Sequence, residues 1–394
     1  MQTQNIQLSE ILDTIEEMGD LSESAMEAAR ARQEVLAKPT GALGRLEAIS
    51  IQLAGITGKV KNNMQKQAIV IMSADNGVVS EGVASAPQSV TLSQTINFTR
   101  HLTGVSSMAK YFGIDLLVID VGVKMPIPEA LYAPEMTEHV CADVCCQTGL
   151  TQKIVNRRIA DGTKNLAKEP AMTEDEALRA IRTGMEAIEA IKRCGYDIFG
   201  VGEMGIGNTT TSAAVLSVLL DTEVEAVTGR GGGLTDEGFD RKKQVLRRAL
   251  ALHRPDKNDV LDVLHKVGGL DIAAMTGAFL GCAHEGIAAA VDGYISVAAA
   301  LCAVRLCPAA GDYLFLSHQS YELGYAKAAQ ALGLTPCLAL DMRLGEGSGC
   351  PLLFRVLEGA CGVMANMATF AEAAIQDDYL EPIRSGDSFT VETI

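Results

Sequence analysis

A carboxylate followed by small and hydroxyl-bearing residues forms the first segment with chemical potential. The run GEMGIGNTTTS occupies residues 202–212 and follows an apolar stretch that is predicted to be a strand. Free backbone amides at a helix N-terminus bind anions, and the helix dipole favours negative charge there. Thr and Ser are also ordinary helix N-caps. Because capping alone does not explain Glu203, we favour an anion site that includes Gly205, Asn208 and Thr209.

A second segment, GRGGGL at 229–234, brings several glycines together. Consecutive glycines let the backbone approach a phosphate or a sugar closely. The pattern is not the GxGxxG dinucleotide fingerprint, and no suitable acidic residue ends a following strand. A flexible loop is the ordinary alternative. Lys242 and Lys243 lie about two helical turns past Thr235, and either side chain can face a bound anion or be solvated.

A third segment, RLGEGSG at 343–349, carries Glu346 between glycines. No bulky neighbour crowds this carboxylate, and partial burial would raise its pKa toward that of a useful general base. The alternative is a Glu on a mobile turn. A fourth segment, ADNG at 74–77, is a turn by default. Beyond it, Gln88 can hydrogen-bond either to a ligand or to its own loop.

The four segments follow short apolar runs that indicate a parallel sheet. The runs are nearly continuous rather than alternating, which is typical of strands buried on both faces. Helix-compatible segments separate them, and this alternation predicts an α/β fold with a Rossmann-like, mostly parallel sheet flanked by helices. Ligands of such sheets bind beyond the carboxyl ends of the strands, where the segments fall. The predicted strands are 68–72, 116–119, 197–201, 313–316 and 337–340, and the predicted helices are 91–109, 174–193, 235–252, 293–305 and 320–331.

Both ends of the chain show helical periodicity without an intervening strand. We therefore expect a small helical domain built from residues 1–45 and 355–394. The rest of the chain, 46–354, is expected to form a large α/β catalytic domain. Residues 124–153 break the alternation of strands and helices, so we interpret them as an insert or a long loop.

Charge and composition argue against several classes of function. The chain has 394 residues, 48% of them hydrophobic, which is ample for a well-buried core. A formal net charge of −16 without a Lys/Arg-rich run argues against broad nucleic-acid binding. Neither a signal-peptide pattern nor an uninterrupted apolar window of about 18 residues is present. We therefore expect a cytoplasmic protein that does not bind a membrane.

Three of the ten cysteines cluster inside the expected insert, at Cys141, Cys145 and Cys146, with His139 nearby. The spacing CxxxCC is not one of the standard structural zinc patterns. The scattered cysteines fit reduced thiols better than a disulfide framework. We therefore expect no metal site, and the role of the cysteine cluster stays open.

Taken together, these segments resemble one enzyme family. The chain is similar to the nicotinate-nucleotide:dimethylbenzimidazole phosphoribosyltransferases, which make the α-ribotide for the lower ligand of cobalamin. The matching motifs run in family order across nearly the whole chain. They are KPTGALGRLE at 38–47, ADNG at 74–77, EGV at 81–83, PQ at 87–88, GT at 162–163, PAMT at 170–173, GEMG at 202–205, NTT at 208–210, GRG at 229–231, GL at 233–234, DG at 292–293, SH at 317–318, Ser320 and LGEG at 344–347.

The resemblance implies transfer of the 5-phosphoribosyl group from nicotinate mononucleotide to a small aromatic base, with inversion to an α-ribotide and release of nicotinate. Glu346 would be the catalytic base, and Glu203 a second catalytic carboxyl. The implied nucleotide-binding residues are Gly205, Asn208, Thr209, Gly231, Gly232, Lys242, Gly293, Ser320 and Gly345. The implied acceptor-binding residues are Gln88, Met204, Leu344, Ala84 and Ala86.

The resemblance also implies an assembly and a cofactor requirement. The family forms homodimers, so we expect a homodimer or a heterodimer with a paralogous chain. The donor phosphate needs only amides and hydroxyls, so no cofactor or metal is expected.

Three departures from the family pattern concern the acceptor. Asn76 stands where the family usually has His, Ala84 and Ala86 stand where it usually has Ser and an aromatic, and the insert at 124–153 is unusual. The acceptor is therefore dimethylbenzimidazole or a relative of it, and the departures favour benzimidazole, a purine such as adenine, or a phenol. A non-catalytic subunit that binds the nucleotide is one alternative, against which the retained Glu346 speaks. A nicotinamide-dependent dehydrogenase is another, against which the missing GxGxxG speaks.

Overall fold

The structure is a computed structural model that describes residues 20–133 and 153–380, together with Ile11 and Asp13. The cysteine cluster of the expected insert lies outside the described residues. Within these ranges, no helix combines the length and the apolar character needed to cross a membrane.

The first of two compact units contains Lys66–Leu353 and is built on a six-stranded sheet. Its strands are β1 (Gln67–Ala74), β2 (Asp115–Gly122), β3 (Ile154–Asn156), β4 (Ile198–Met204), β5 (Ala288–Val291) and β6 (Leu314–Leu316). All strand pairs are parallel, and the order across the sheet is β3-β2-β1-β4-β5-β6. This is the strand order of a Rossmann-type doubly wound sheet, so the predicted fold class is confirmed.

The centre of the sheet is formed by β1 and β4. All residues of β1 are buried, as expected for a strand covered on both faces. β1 pairs with β2 on one side, from Ala68 opposite Asp115, and with β4 on the other. The strand order reverses between β1 and β4, and ligands of such sheets bind in the crevice outside the carboxyl ends at that point.

Helices flank the sheet and also build the second unit. The α-helices are α1 (Glu23–Val35), α2 (Arg45–Thr57), α3 (Ser89–Phe98), α4 (Gly104–Phe112), α5 (Glu174–Arg193), α6 (Asn208–Leu219), α7 (Asp236–His253), α8 (Val260–Val267), α9 (Leu270–His284), α10 (Tyr294–Leu306), α11 (Tyr325–Leu332) and α12 (Cys350–Asn366). Short 3-10 helices lie at Gly77–Glu81, Glu129–Leu131, Val224–Ala226, Pro308–Tyr313 and Asp378–Leu380.

Four of the five predicted strands are confirmed, as β1, β2, β4 and β6. The prediction of a strand at 337–340 is wrong, because Leu338 makes only an isolated bridge with His318. The residues of this segment are half-buried or exposed. Its apolar residues therefore lack the cover on both faces that a central strand of a parallel sheet has.

Two strands and one helix break are not predicted by the sequence pattern. β5 has the sequence AAAV, and Ala is the strongest helix former, so its propensity points away from a strand. β3 has only three residues. The predicted helix at 91–109 is divided into α3 and α4, because His101 has a positive φ of 59° and Thr103 starts α4 with a capping box that includes Ser106.

The second unit comprises Asp20–Gln65 and the described part of Phe354–Ile394. The Nε of Arg32 in α1 donates a hydrogen bond of 2.7 Å to the carbonyl of Met364 in α12, which joins the two ends of the chain. The predicted limits of a helical domain, 1–45 and 355–394, stay a prediction. The core of the unit consists of Ala25, Ala29, Leu36, Ala54 and Met364.

Candidate functional site

A cavity of about 220 Å³ lies beyond the carboxyl ends of β4 and β5. Side chains and backbone from seven parts of the chain line it: the loop before α3, α3 itself, the β4–α6 turn, the glycine loop before α7, the start of α10, the loop before α11 and the loop before α12. It brings together most residues singled out from the sequence. Those that line it are Ala84, Ala86, Glu203, Met204, Gly205, Asn208, Thr209, Gly231, Gly232, Gly293, Ser320, Leu344, Gly345 and Glu346.

The anion-binding rim of the cavity is formed by α6 and the glycine loop. α6 begins at Asn208 without a side-chain cap, and Asn208 and Thr209 both line the cavity. The positive end of the helix dipole therefore points at the cavity. A Cβ added to Gly231 would lie 2.8 Å from Oγ1 of Thr209, so the loop backbone packs directly against the start of α6.

Of the two candidate lysines, Lys242 is the one that contacts this rim, although it lies behind Thr209 and does not line the cavity itself. Its side chain is fully buried, and Nζ donates hydrogen bonds to Oγ1 of Thr209 at 2.8 Å and to the carbonyl of Gly229 at 3.1 Å. Burial lowers the pKa of Lys242 to about 8, although the negative charge of Glu322 opposes this shift. Lys243 instead forms an ion pair of 2.7 Å with Asp240.

Glu346 is held at the cavity in an uncommon backbone conformation. Its φ is +64°, a region that non-glycine residues rarely adopt, and its side chain is buried. Oε2 accepts a hydrogen bond of 3.3 Å from the backbone N–H of Val105 in the first turn of α4, and Oε1 accepts one of 3.4 Å from Nε2 of Gln94. Burial raises the pKa of Glu346, and these hydrogen bonds oppose the rise.

Glu203, at the end of β4, is tied to the Glu346 loop. Its Oε1 accepts a hydrogen bond of 3.1 Å from the backbone N–H of Glu346. Its Oε2 accepts a hydrogen bond from Nδ2 of Asn208, which also donates to Oδ2 of Asp271 at 3.0 Å. Burial and then the charge of Asp271 raise the pKa of Glu203 to about 8. The carboxyl of Glu203 therefore ionises less readily than a solvent-exposed carboxyl.

A third buried carboxyl, Asp292, supports the loop that follows Glu346. Its Oδ2 accepts a hydrogen bond of 3.0 Å from the N–H of Gly347, and its Oδ1 accepts one of 2.7 Å from the N–H of Gly349. Burial raises the pKa of Asp292 to about 7. Nδ1 of His318 lies 3.7 Å from Oδ1, and burial lowers the pKa of this imidazole. Asp292 thus fixes the backbone just after the proposed base.

The turn directly after β1 supports the site without lining the cavity. Gln88 does not line the cavity, and its side chain instead lies close enough to Asp75 to help lower the pKa of that carboxyl. Asn76 is fully buried. A Cβ added to Gly205 would lie 2.4 Å from the carbonyl of Ala74 and 2.9 Å from Nδ2 of Asn76. The turn after β1 therefore packs closely against the turn after β4.

Sequence reasoning missed four polar residues at this site: Gln94, Asp271, Glu322 and Asp292 as a loop anchor. Asp292 follows β5 directly, so it would have been found had the AAAV run been identified as a strand. The other three lie on or near helices, where nothing in the sequence marks them. In the part of the chain that the structure describes, no group of three or more His, Cys, Asp or Glu side chains is arranged to hold a metal ion.

The arrangement suits the binding of an anion next to a base in a partly enclosed space. The rim of α6, the glycine loop and Lys242 can hold a phosphate. The carboxylate of Glu346 lines the same cavity and can accept a proton from a second ligand.

Comparison with known proteins gives consistent matches over nearly the whole chain. A family model described as phosphoribosyltransferase matches residues 18–375. The chain is 47% identical over 384 residues to the nicotinate-nucleotide–dimethylbenzimidazole phosphoribosyltransferase of Clostridium perfringens, covering 98% of this chain and 99% of that protein. It is 44% identical to the protein of the same name from Clostridium tetani, covering 94% of this chain and 97% of that protein.

Solved structures agree with these matches. A crystal structure of the nicotinate-nucleotide–dimethylbenzimidazole phosphoribosyltransferase from Thermus thermophilus superposes with a TM-score of 0.81 at 36% identity, covering 91% of this chain and 100% of that chain. A crystal structure of CobT from the same organism has a TM-score of 0.81 at 37% identity, covering 90% of this chain and 99% of that chain.

Proposed function

The chain belongs to the nicotinate-nucleotide–dimethylbenzimidazole phosphoribosyltransferase family, and from this premise we propose how its cavity performs the reaction. The chain is a phosphoribosyltransferase of cobamide lower-ligand synthesis. In our proposal the donor is nicotinate mononucleotide and the acceptor is a small aromatic base. The observation that carries the proposal is the buried carboxylate of Glu346, which lines the same cavity as the anion-binding rim.

The donor phosphate binds at the rim of the cavity. The start of α6 and the backbone of Gly231 and Gly232 supply hydrogen-bond donors there, and the buried ammonium group of Lys242 adds positive potential from behind Thr209. Gly293, Ser320 and Gly345 line the same cavity and provide the surface against which the ribose and the nicotinate lie.

The acceptor binds between the loop before α3 and the loop that carries Glu346. Ala84, Ala86, Met204 and Leu344 line this part of the cavity, and all four are small or apolar. A largely apolar wall with a few polar groups suits a flat aromatic base whose reacting edge is polar. Gln88 acts one step away, through Asp75.

The chemistry needs one proton acceptor. The bond between the anomeric carbon and the pyridinium nitrogen breaks, and its electron pair stays on the departing nicotinate. A lone pair of the acceptor forms the new bond from the opposite face, which inverts the configuration to α. The proton lost by the acceptor goes to Glu346, and a well-placed base contributes about 10²–10⁴-fold. Glu203 acts beside it by holding the Glu346 loop.

The small side chains at positions 84 and 86 bear on the identity of the acceptor. Two alanines leave more room than a wall with an aromatic would, and they offer no ring for stacking. We therefore propose that benzimidazole, a purine such as adenine, or a phenol reacts at least as well as dimethylbenzimidazole.

Product formation by the purified chain tests the proposal. The chain is mixed with nicotinate mononucleotide and a panel of benzimidazoles, purines and phenols, and nicotinate release and α-ribotide formation are measured. Wild type should turn over. The Glu346→Gln variant should lose activity by about 10²–10⁴-fold while it still binds the donor. Glu237→Gln, an exposed position on α7, is the matched control and should behave as wild type.

Two outcomes would overturn parts of the proposal. Turnover by Glu346→Gln at the wild-type rate would exclude this residue as the base. A panel in which only dimethylbenzimidazole reacts would exclude the proposed acceptor range. We further propose a dimer, either of identical chains or with a paralogue, acting in the cytosol. Light scattering of the pure chain and cell fractionation test these two points.

A further inference from the structure

Gln94 is a polar side chain that lines the cavity and contacts Glu346. It lies on α3, four residues after Val90, and both residues line the cavity. Residues four apart lie on one face of a helix, so this face of α3 forms a wall of the site. An adjacent face of the helix buries Thr91, Thr95 and Phe98.

Two hydrogen bonds set the orientation of the Gln94 amide. Its Oε1 accepts a hydrogen bond of 3.0 Å from Nδ2 of Asn97, one turn further along α3. Its Nε2 donates the 3.4 Å hydrogen bond to Oε1 of Glu346. Because Asn97 provides a donor to the carbonyl oxygen, the NH₂ group is the part of the amide that faces the carboxylate.

The two oxygens of Glu346 have different surroundings. Oε2 is bound by the N–H of Val105 at the positive end of α4, where a carboxylate is stabilised as the anion. Oε1 has the amide of Gln94 as its partner, and that amide lines the cavity. Oε1 is therefore the oxygen available to an acceptor proton.

We propose that Gln94 is a positioning residue for the acceptor step, which directs Oε1 of Glu346 into the cavity and keeps the carboxylate ionised. This inference rests on the proposed function, in which Glu346 is the base. The two N–H bonds of the amide suit the task, since one binds Oε1 and the other remains for a hydrogen-bond acceptor on the incoming base.

The electrostatic environment makes this contribution measurable. Burial raises the pKa of Glu346, and the hydrogen bond from Gln94 is one of those that lower it. Other titratable or charged groups contact the Glu346 loop or line the same cavity. They are Glu203 and Asp292, which contact the Glu346 loop, and Glu322, Arg230 and Arg343, which line the cavity.

Two substitutions separate the proposed role from simple packing. Gln94→Met keeps the length of the side chain without its donor, and Gln94→Glu keeps its shape but replaces the donor with a second carboxyl. Both remove a group that favours the ionised base, and the second adds like charge beside it. Ser93→Ala, whose exposed hydroxyl bonds only within α3, is the control.

The measurement is the pH dependence of kcat/KM for the acceptor. The acid limb, where Glu346 must lose its proton, should move to higher pH by about 0.5–1 unit in Gln94→Met and further in Gln94→Glu. Activity below the limb then falls by about three- to tenfold or more. The KM for nicotinate mononucleotide should stay within about twofold of wild type, and Ser93→Ala should reproduce the wild-type profile.

Unchanged acid limbs in both variants would overturn the inference. A larger shift of the acid limb in Gln94→Met than in Gln94→Glu would also overturn it, because loss of packing rather than added charge would then explain the order of the two variants. Thermal unfolding identifies a variant that fails to fold. If Gln94→Met does not fold, the pH profile of the nearly isosteric Gln94→Glu variant tests the inference. If Glu346→Gln is active, the proposed base is wrong. If it is inactive while both Gln94 variants match wild type, only the inference about Gln94 fails.

Discussion

The backbone N–H of Glu346 donates a hydrogen bond of 3.1 Å to Oε1 of Glu203, so the loop with the proposed base is bound to the end of β4. The contact is close. Gly345 has a φ of +82°, and a Cβ at this position would lie 2.5 Å from the same oxygen. The end of β4 thus determines where the carboxylate of the proposed base sits, although the residue itself lies on a loop.

Replacement of Gly202 by Ala tests the close packing between the end of β4 and the Glu346 loop. A Cβ at Gly202 would lie 2.2 Å from the carbonyl oxygen of Glu346, so the loop must move. We expect a loss of about 1–3 kcal/mol in the free energy of unfolding and a fall in kcat. Gly359, on α12 with no atom within 4 Å of an added Cβ, is the control. Gly359→Ala should stabilise the protein by about 0.5–1 kcal/mol without changing kcat, and equal effects of both substitutions in thermal unfolding and turnover would contradict the prediction.

Lys242→Met tests the anion-binding rim. The substitution removes the ammonium group that bonds Thr209, and a charge-assisted hydrogen bond contributes about 1.5–3 kcal/mol. We expect the Kd for nicotinate mononucleotide, measured by calorimetry, to rise by about 10–100-fold. Lys243→Met removes an adjacent charge that is paired with Asp240 and should leave the Kd nearly unchanged. If both variants weakened donor binding equally, the effect would come from the overall electrostatic field of the protein and not from the position of Lys242.

The buried carboxyl groups predict how stability depends on pH. The pKa of Glu203 is raised from 4.5 to about 8, so the folded chain holds this proton more tightly than the unfolded chain. Stability contributed by such a group falls as the pH rises through the interval between the two values. The raised pKa values of Asp271, about 6, and Asp292, about 7, act in the same direction.

We therefore expect the melting temperature to fall from about pH 5 to about pH 8.5, and to fall less in Glu203→Gln, which cannot ionise. Differential scanning calorimetry across this range measures both slopes. Glu237→Gln, at an exposed position, controls for the loss of a carboxyl. An equally steep fall in Glu203→Gln would mean that Glu203 does not carry a raised pKa.

The double substitution Ala84→Ser with Ala86→Phe tests the acceptor wall. It adds a hydroxyl and an aromatic ring to the part of the cavity where two small side chains stand. Changes of this size in an apolar pocket alter discrimination by about 10–200-fold. In the double variant, the ratio of kcat/KM for dimethylbenzimidazole to kcat/KM for adenine should be higher than in wild type. An unchanged ratio in competition assays would place acceptor discrimination elsewhere, with Ser93→Ala again as the neutral control.

Much of the fold follows from patterns within single elements. The apolar runs of β1, β2 and β4 are long enough to indicate strands, and α5 begins and ends where its capping box and basic last turn indicate. The failures occur where local pattern and tertiary context disagree. β5 is a strand because the sheet buries it, although alanines prefer helices. The run at 337–340 is apolar, yet in the folded chain it is half-buried or exposed and is not a strand of the sheet.

In the site, too, features with a local sequence pattern are predictable, and features that depend on tertiary contacts are not. Glycine-flanked carboxylates and helix starts are visible in the sequence because they are unusual locally. Gln94 is not visible, since a Gln within a helix is ordinary and its role depends on a contact with Glu346, far along the chain. Likewise, the choice between Lys242 and Lys243 depends on which face of α7 is buried. Contacts between distant segments decide these roles, and one sequence carries no record of them.

The burial of Lys242 also couples donor binding to proton exchange with the solvent. With a pKa of about 8 in the unliganded site, a fraction of the molecules carries a neutral amine at mildly alkaline pH. In the proposed complex the nearby donor phosphate favours the charged form, so molecules with a neutral amine take up a proton when the donor binds. The enthalpy of donor binding will then vary with the ionisation heat of the buffer, and alkaline conditions will weaken the hold on the nucleotide before they affect the base.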